Sequence, residues 1–390
     1  MAIDRIRLYG CASTIDLSMV DVNLLSKSAR ETANCYVVKK RGKYMFPLVY
    51  GCGIKNNSVN SSSYVKQSGT YTNNFFNYLS AQVTSPYTET DTSTQAASAE
   101  VIQYDTVGFS ISNISIENGS PCRFLHFTVD SIPSLGGNAI IAIKDGSGSI
   151  MWSWHIWAYP FTLSTFTHTN TNGYNYNLLN VNIGWVKESV SSNVGFSPYY
   201  QWGRKDPLLR SGATSGSMIY SSYATNPSLA IKSPTTFYNR DNFENWWSPY
   251  YNTANYYTNY WDANKTTTGA SDKTVVKTIY DPCPPGFSVP CGNAFLGVTA
   301  YNGGTFNSGY TWDGNYFHCN GNRNSYTSIT AFGTNGYYWL SSSKVSGNYF
   351  QANRLTFQKP GYTYSVATSD NSDYGSYMTA YGYSIRPTTC

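Results

Sequence analysis

A mainly β, multidomain fold is expected from three observations. At 390 residues the chain exceeds one ordinary core, so two or three domains are the expectation. Charged residues make up 12% of it, against about 25% in an average soluble protein, and Tyr (36 residues) and Gly (32) fill the gap. The remainder is rich in Tyr, Thr, Ser and Asn and poor in straight-chain helix formers, which favours strands and structured loops. A disordered chain would show the opposite balance, high charge with few aromatics, whereas here 16% of residues are aromatic. The expected division is a leader over 1–30, a β-sandwich over 31–160, a connector over 161–195 and a loop-dominated α+β binding domain over 196–390.

The leader has mixed polarity, with a short helix expected around Val20–Ala29. It reads either as an ordinary first strand and loop or as a segment that attaches the chain to a larger assembly. Cys35-Tyr36-Val37-Val38 and Tyr44-Met45-Phe46 flank Arg41-Gly42, the pattern of a hairpin. Residues 58–98 are a polar Asn/Ser/Thr/Tyr stretch, too long for a simple connection, and read as an exposed insertion. Short apolar runs follow at Val107–Ile111, Arg123–Val129, Ala139–Ile143 and Ile150–Trp157, spaced as in a sandwich. Alternation in the last run puts Trp152, Trp154 and Ile156 on one face and Met151, Ser153, His155 and Trp157 on the other. Aromatics on both faces imply burial on both sides, one of them against the next domain. In the C-terminal half, Gly, Asn and Tyr recur without a fixed period, which argues against a solenoid or propeller.

Several function classes find little support. The net charge of +5 is spread along the chain rather than gathered on a basic face, so no nucleic-acid partner is expected. There is no run of about 18 apolar residues, so no membrane insertion is expected, and the N-terminus lacks a secretory signal. The eight cysteines (Cys11, Cys35, Cys52, Cys122, Cys283, Cys291, Cys319 and Cys390) form no C-x-x-C pair and read mainly as free, buried thiols, with Cys283 and Cys390 the first pair to test for a bridge. His126 and His155 lack acidic or thiol companions at ligand spacing and read as structural. Glycan hydrolysis needs paired carboxylates, and the C-terminal half offers only scattered acids such as Asp262, Asp272, Asp281, Asp313, Asp370 and Asp373. Ser341–Ser343 has no base nearby in sequence, and Asn371-Ser372-Asp373 is a thin candidate for calcium. No catalytic residue, cofactor or metal is expected.

Four fixed phrases stand out in the Tyr/Asn/Ser/Gly field: Tyr200-Gln201-Trp202-Gly203-Arg204-Lys205-Asp206-Pro207, Tyr280-Asp281-Pro282-Cys283-Pro284-Pro285-Gly286-Phe287-Ser288-Val289-Pro290, Tyr338-Trp339-Leu340-Ser341-Ser342-Ser343, and Tyr383-Ser384-Ile385-Arg386-Pro387. The last three, with Gly382, resemble the Fibrobacter succinogenes major paralogous domain, whose pattern is D-P-C-P-P-G-[WY]-x-V-P, then Y-W-S-S, then G-[FY]-S-[VI]-R. The first phrase, Thr32–Val38 and Lys144–Trp157 are similar to segments that accompany this domain in Bacteroides adhesin-like proteins. The likeness spans about residues 32–390. Leu340 interrupts the usual Y-W-S-S run, and Pro387 stands where the family often has a Cys, which weakens a Cys283–Cys390 bridge. The resemblance implies a C-type lectin-like frame whose terminal strands pair and which carries long variable loops. Trp202, Arg204, Asp206, Cys283, Pro284, Trp339 and Arg386 would belong to that frame.

The loops over 293–335 and 344–381 are then the expected binding surface. Their candidate ligand residues are Tyr301, Asn302, Tyr310, Trp312, Asn315, Tyr316, Asn348, Tyr349, Tyr362, Tyr364, Asn371, Tyr374 and Tyr377; Asn320, Asn322, Asn324 and Tyr326 lie among them. Tyr supplies contact area at low entropy cost, while Ser, Gly and Asn supply adaptable hydrogen bonds. An aromatic ring stacks on the C–H face of a sugar and Asn meets vicinal hydroxyls. The competing reading is that these residues solubilise and pack irregular loops. Adenine-directed codon diversification would also enrich Tyr, Asn and Ser.

The resemblance and the missing export signal together point to a non-enzymatic virion protein of a Bacteroidetes-infecting phage. It would bind a host surface glycan or protein, meet other virion proteins through its N-terminal segment, and form a homo-oligomer, a trimer by analogy with fibres. The alternative is a fimbrial-tip or surface adhesin on the bacterial cell. A formylglycine-type or glycan-active enzyme is the third class, for which Cys291 and Cys319 offer no convincing cysteine pair.

Overall fold

The computed structural model describes residues 13–69, 72–190, 194–209, 219–221, 224, 226–239, 246, 258–267, 269–298, 309–312, 314–324, 329–346, 349–358 and 379–390. The protein is mainly β, with several sheets, and the two α-helices among the described residues (Thr88–Thr92 and Ser228–Lys232) are a single turn or so each. One four-stranded sheet runs in the order Ile15–Asp16, Gly42–Pro47, Phe124–Ser131, Ser110–Glu117, and a second in the order Cys35–Val38, Ile150–Ala158, Gly137–Lys144, Ser98–Tyr104. Their inner faces meet through aromatic rings. Tyr36 stacks on Phe46 at 4.7 Å, and Phe46 lies 5.0 Å from Trp154 and 6.0 Å edge-on to Phe127. Such pairs each add about 0.5–1.5 kcal/mol beyond area burial.

The hairpin expected at Arg41-Gly42 does not form. Cys35–Val38 pairs in parallel with His155–Ala158, while Gly42–Pro47 pairs with Phe124–Val129 in the other sheet. The turn is an arch between sheets, fastened by the Tyr44 hydroxyl donating to Lys40 O at 2.7 Å. Hairpin and arch both need a turn between two apolar runs, so the local pattern is the same for both.

Over its described part, the leader is a short strand and a loop. Ile15–Asp16 runs parallel to Tyr44–Met45, and Leu17 and Val22 are buried. No helix forms over 20–29. Asp21 Oδ1 accepts from the amides of Asn23 and Leu25, Leu24 takes φ 59°, and Val20 bridges Ser26. An acceptor side chain bonding its own backbone competes with helix in this way. Cys11 and the rest of 1–12 lie outside the described residues.

The 58–98 stretch is not simply an exposed insertion. Tyr64, Phe75, Tyr78 and Val83 are buried, with Phe75 edge-on to Tyr280 at 5.4 Å. The Tyr280 hydroxyl accepts from Phe76 N at 2.8 Å and donates to Phe76 O at 2.6 Å. These aromatics thus anchor the stretch on two sides, Phe75 against Tyr260 and Tyr280 of the C-terminal half and Tyr78 through its hydroxyl to Asp145.

The strand Ile150–Ala158 is buried on both faces, as its alternation implies. Trp154 enters the sandwich. On the opposite face Ser153 Oγ donates to Asp206 Oδ1 at 2.7 Å, and the Lys205 ammonium donates to Ser153 Oγ at 2.7 Å and to both Asp206 oxygens. Tyr200 OH lies 3.4 Å from His155 Nδ1, and His155 Nε2 lies 2.8 Å from Asn138 Oδ1. Asn138 Nδ2 then donates to Asp105 Oδ2 at 2.6 Å. The network assigns the proton to Nε2. His155 is thus a satisfied structural histidine, and burial pulls its pKa from 6.5 to about 3.

One cluster of buried residues consequently runs from Leu17 to Ile385, crossing the boundaries expected at 160 and 196. The expected connector is integrated as well. Its hairpin, Thr165–Thr169 with Asn175–Leu179, joins a sheet with Thr388–Thr389 and Phe287–Ser288.

The four phrases converge in the C-terminal half. Tyr200–Gln201 pairs antiparallel with Gly382–Tyr383. Trp339 Nε1 donates to Tyr200 O at 2.7 Å, Trp339 N to Ser384 O at 2.9 Å, and Trp202 Nε1 to Leu340 O at 2.9 Å. Leu340 itself is buried in a second cluster with Phe317, Tyr338, Leu355 and Phe357. Gly203 takes φ +84°, and a Cβ there would come within 2.8 Å of the Tyr260 ring. The Asp281 phrase folds around a cation that the sequence did not single out. Lys277 Nζ donates to the carbonyls of Cys283, Pro284 and Phe287 at 2.6, 2.8 and 2.7 Å.

Two predictions follow from the contact between halves. Asp206→Ala strands the buried Lys205 ammonium and should lower unfolding free energy by about 3–5 kcal/mol in urea titrations, with Lys205→Met/Asp206→Ala recovering part of it. A depressed histidine pKa gives stability that is full above pH 6.5 and is lost as pH falls towards 3, because only the unfolded chain takes up the proton. Measured against His155→Gln, the wild type should lose about 1.4 kcal/mol per pH unit across that window. Asp105, raised to about 6 by burial, acts in the opposite sense in both proteins, so the difference isolates the imidazole.

Candidate binding cleft

The hairpin Gly309–Trp312 with Asn315–His318 carries four of the expected ligand residues. Trp312 pairs with Asn315, and Gly314 before it takes φ +74°, a conformation that glycine reaches without strain. Cross-strand partners share a face, so Tyr310 and Trp312 lie on the same side as Phe317. That side packs into the second cluster. Trp312 is 4.2 Å from the His168 ring and 5.7 Å from Phe317, and the Tyr310 hydroxyl donates to Gln358 O at 2.6 Å. These two residues are held in packing contacts rather than displayed.

Tyr316 points the other way. With Gly314 and Asn315 it forms one wall of a cleft of about 260 Å³, whose other walls are Tyr159, Phe161 and Thr162, then Asn180, Val181, Trp185 and Lys187, with Arg386 behind. Tyr316 and Asn315 are half-buried, Trp185 and Tyr159 buried, and Thr162 exposed. Burial raises the Tyr316 phenol well above its ordinary pKa, with nearby Tyr338, Cys319 and Glu188 adding to the shift, so it is a neutral donor and acceptor. The closing phrase holds this arrangement. Arg386 Nη2 donates to Tyr316 O at 2.8 Å, Nη1 to Leu179 O at 3.2 Å, and the guanidinium lies 4.2 Å over the Phe317 ring. Ile183 N donates to Ile385 O at 3.1 Å, tying the segment that carries Trp185 and Lys187 to the same phrase.

The structure therefore brings Asn315 and Tyr316 together with five residues, Tyr159, Phe161, Asn180, Trp185 and Lys187, from the end of the sandwich and the expected connector. Treating 161–195 as a linker hid them, although a Gly-Trp-Val-Lys run is unusual for one. Of the other candidates, Tyr349 begins the strand Tyr349–Gln358 and pairs with Ser346. Tyr301, Asn302, Asn348, Tyr362, Tyr364, Asn371, Tyr374 and Tyr377 lie outside the described residues, as do Tyr326, Asp313, Asp370 and Asp373. Asn320 and Asn322 are buried, and Asn320 Nδ2 donates to Ser384 Oγ at 2.6 Å. The framework residues Trp202, Arg204, Asp206, Cys283, Pro284, Trp339 and Arg386 are all buried.

The described acids of the C-terminal half accept hydrogen bonds from neighbouring donors. Asp281 accepts from Cys283 N at 2.7 Å and Val289 N at 2.9 Å. Asp262 accepts from Val276 N and Asn264 N, and burial raises it to about 6. Asp272 accepts from Asn170, Asn172, Asn293 and Tyr176, and these bonds outweigh its burial and hold its pKa below the ordinary value. His126 Nε2 lies 3.8 Å from Glu117. The seven cysteines described are free, with Cys283 buried and Cys390 exposed, so the bridge between them is not made. Burial lifts the Cys319 thiol to about 12 and raises Cys291 as well. Ser342 Oγ accepts from Gly292 N at 3.0 Å.

Compared with family models, curated proteins and solved structures, the chain matches none.

Trp312→Ala should therefore act on stability. It should lower unfolding free energy by about 3 kcal/mol in denaturant titrations, and Tyr310→Phe by about 1 kcal/mol through its lost bond to Gln358 O.

Proposed function

We propose that this chain is a recognition protein on a phage virion, binding a glycan or protein of its host's surface through a lectin-like C-terminal half. The observation that carries the reading is the cleft: Asn315 and Tyr316 stand opposite Phe161, Asn180 and Trp185 on a frame made of the fixed phrases. Aromatic walls with a few convergent amides are the usual composition of a site that binds without reacting. The lectin-like reading draws on the four phrases and on the pairing of Tyr200–Gln201 with Gly382–Tyr383, the terminal-strand closure that the resemblance implies. The virion setting draws on the resemblance to proteins of Bacteroidetes and their phages.

The full chain should bind capsule-bearing Bacteroides cells saturably, measured by flow cytometry with labelled protein. Asn315→Ala/Tyr316→Ala should weaken that binding at least about tenfold, since central aromatic contacts dominate recognition energies. Absence of binding by the parent across a panel of capsule types, or undiminished binding by the double variant, would sink the reading.

A further inference from the structure

We propose that the cleft selects an acidic sugar residue, a pyranose bearing a carboxylate or a sulfate. The inference rests on the recognition reading above and specifies its ligand. Two cations, Lys187 and Arg386, are among the lining residues, and no acid is. Glu188 follows Lys187 and is exposed, but does not line the cleft.

Among the described residues, neither cation has a carboxylate within 4 Å. Lys187 Nζ lies 4.2 Å over the Phe161 ring and 3.5 Å from Val190 O. Arg386 gives its two terminal nitrogens to carbonyls and lies beside the Tyr338 phenol. Arg30, Arg123, Lys205 and Lys277 each have a carboxylate within 4 Å, whereas Arg204, like Arg386, is bonded to carbonyls but lies away from the cleft. A guanidinium stays protonated even when buried, so Arg386 places a full positive charge behind the cleft wall. In a concave, partly desolvated site such a field concentrates on an anion that enters. Lys187, half-buried at the cleft, can swing its ammonium from the Phe161 ring onto that anion.

The remaining walls favour a sugar as the carrier of the charge. Phe161 and Tyr316, both half-buried, offer aromatic surface to the C–H groups of a sugar, with buried Trp185 behind, and Asn180, Asn315 and Thr162 offer donors and acceptors to hydroxyls. The volume of about 260 Å³ falls just short of the roughly 300 Å³ at which pockets for drug-sized ligands begin, which is room for one ring.

The test is isothermal titration of the full chain with trigalacturonic acid, its carboxyl-reduced neutral counterpart, and a sulfated galactose trisaccharide. At least one acidic probe should bind about tenfold or more tightly than the neutral one, and which of them does so separates carboxylate from sulfate. Lys187→Gln should weaken the acidic probe about tenfold and leave the neutral one unchanged, and Lys187→Arg should retain the acidic preference. Raised salt should erode the difference. Equal binding of acidic and neutral probes, no binding of any of the three, or an unchanged acidic affinity in Lys187→Gln would overturn the inference. Cell binding that survives Lys187→Gln but is lost in Asn315→Ala/Tyr316→Ala would overturn the acidic preference alone, whereas absence of cell binding by the parent removes the recognition reading beneath it.

Discussion

Everything else in the fold is arranged around a strand with no solvent face. Ile150–Ala158 sends Trp154 into the sandwich and Ser153, His155 and Trp157 into the C-terminal half. A half-exposed strand needs one partner layer, but this one needs two. The C-terminal half meets that need with the phrase Tyr200–Pro207, which delivers an ion pair rather than apolar side chains. Ser153 is the small residue in a row of tryptophans, and it leaves the space in which Lys205 and Asp206 sit. The pair is tolerable because the Lys205 ammonium also bonds Ser153 O, so the desolvated charge has its donors used. Trp152 extends the join, since Asn34 accepts from its indole and donates to the carbonyls of Ile279 and Asp281.

The same device recurs wherever the backbone is irregular. Loops rich in Pro and Gly leave carbonyls that no ladder satisfies, and each must find a donor when buried. Lys277 satisfies three in the Asp281 phrase, Arg204 satisfies Thr236 O and Pro234 O, and Arg386 satisfies Leu179 O and Tyr316 O. A long cation reaches several carbonyls that point in different directions, which no apolar residue does. Three of the four phrases contain either a cation of this kind or the carbonyls that it serves, while Tyr338–Ser343 is held by indole bonds instead, from Trp202 to Leu340 O and from Trp339 to Tyr200 O. A sparsely charged chain has spent several of its cations inside.

Some of this was legible in the sequence and some was not, for identifiable reasons. The two-faced burial at Trp152–Trp157 could be read from alternation, because a strand's period of two is local. The strands at Phe124–Ser131 and Gly137–Lys144 were visible for the same reason, whereas the run expected at Val107–Ile111 starts too early: Val107 is exposed and the strand is Ser110–Glu117. The arch at Arg41-Gly42 was not, because sheet membership depends on Phe124–Val129 and His155–Ala158, far along the chain. The connector was misread because its hairpin, Thr165–Thr169 with Asn175–Leu179, joins a larger sheet only through the distant Thr388, and the cage around Lys277 because a lone lysine carries no pattern. Phe75 and Tyr78 were missed in a stretch whose average polarity concealed two anchors.

The cleft shows where composition stops being informative. Tyr, Trp and Asn were enriched throughout 293–335, and one hairpin puts them to opposite uses. Tyr310 and Trp312 face the same side as Phe317 and are held by Gln358 O and His168, while Tyr316, one residue before Phe317, turns to the cleft. Richness in such residues is equally compatible with packing and with display; phase along the strand separates Tyr316 from Tyr310 and Trp312, while Asn315, in phase with Trp312, reaches the cleft from the end of the hairpin. Once Phe317 is fixed in the core, Tyr316 has to point away from it, and the backbone carbonyl of Tyr316 is fastened by Arg386. The residue that holds the wall in place is also the buried charge behind it. A single buried arginine thus couples the geometry of the cleft to its electrostatics, because any change that displaces Arg386 moves the Tyr316 wall and removes the charge together.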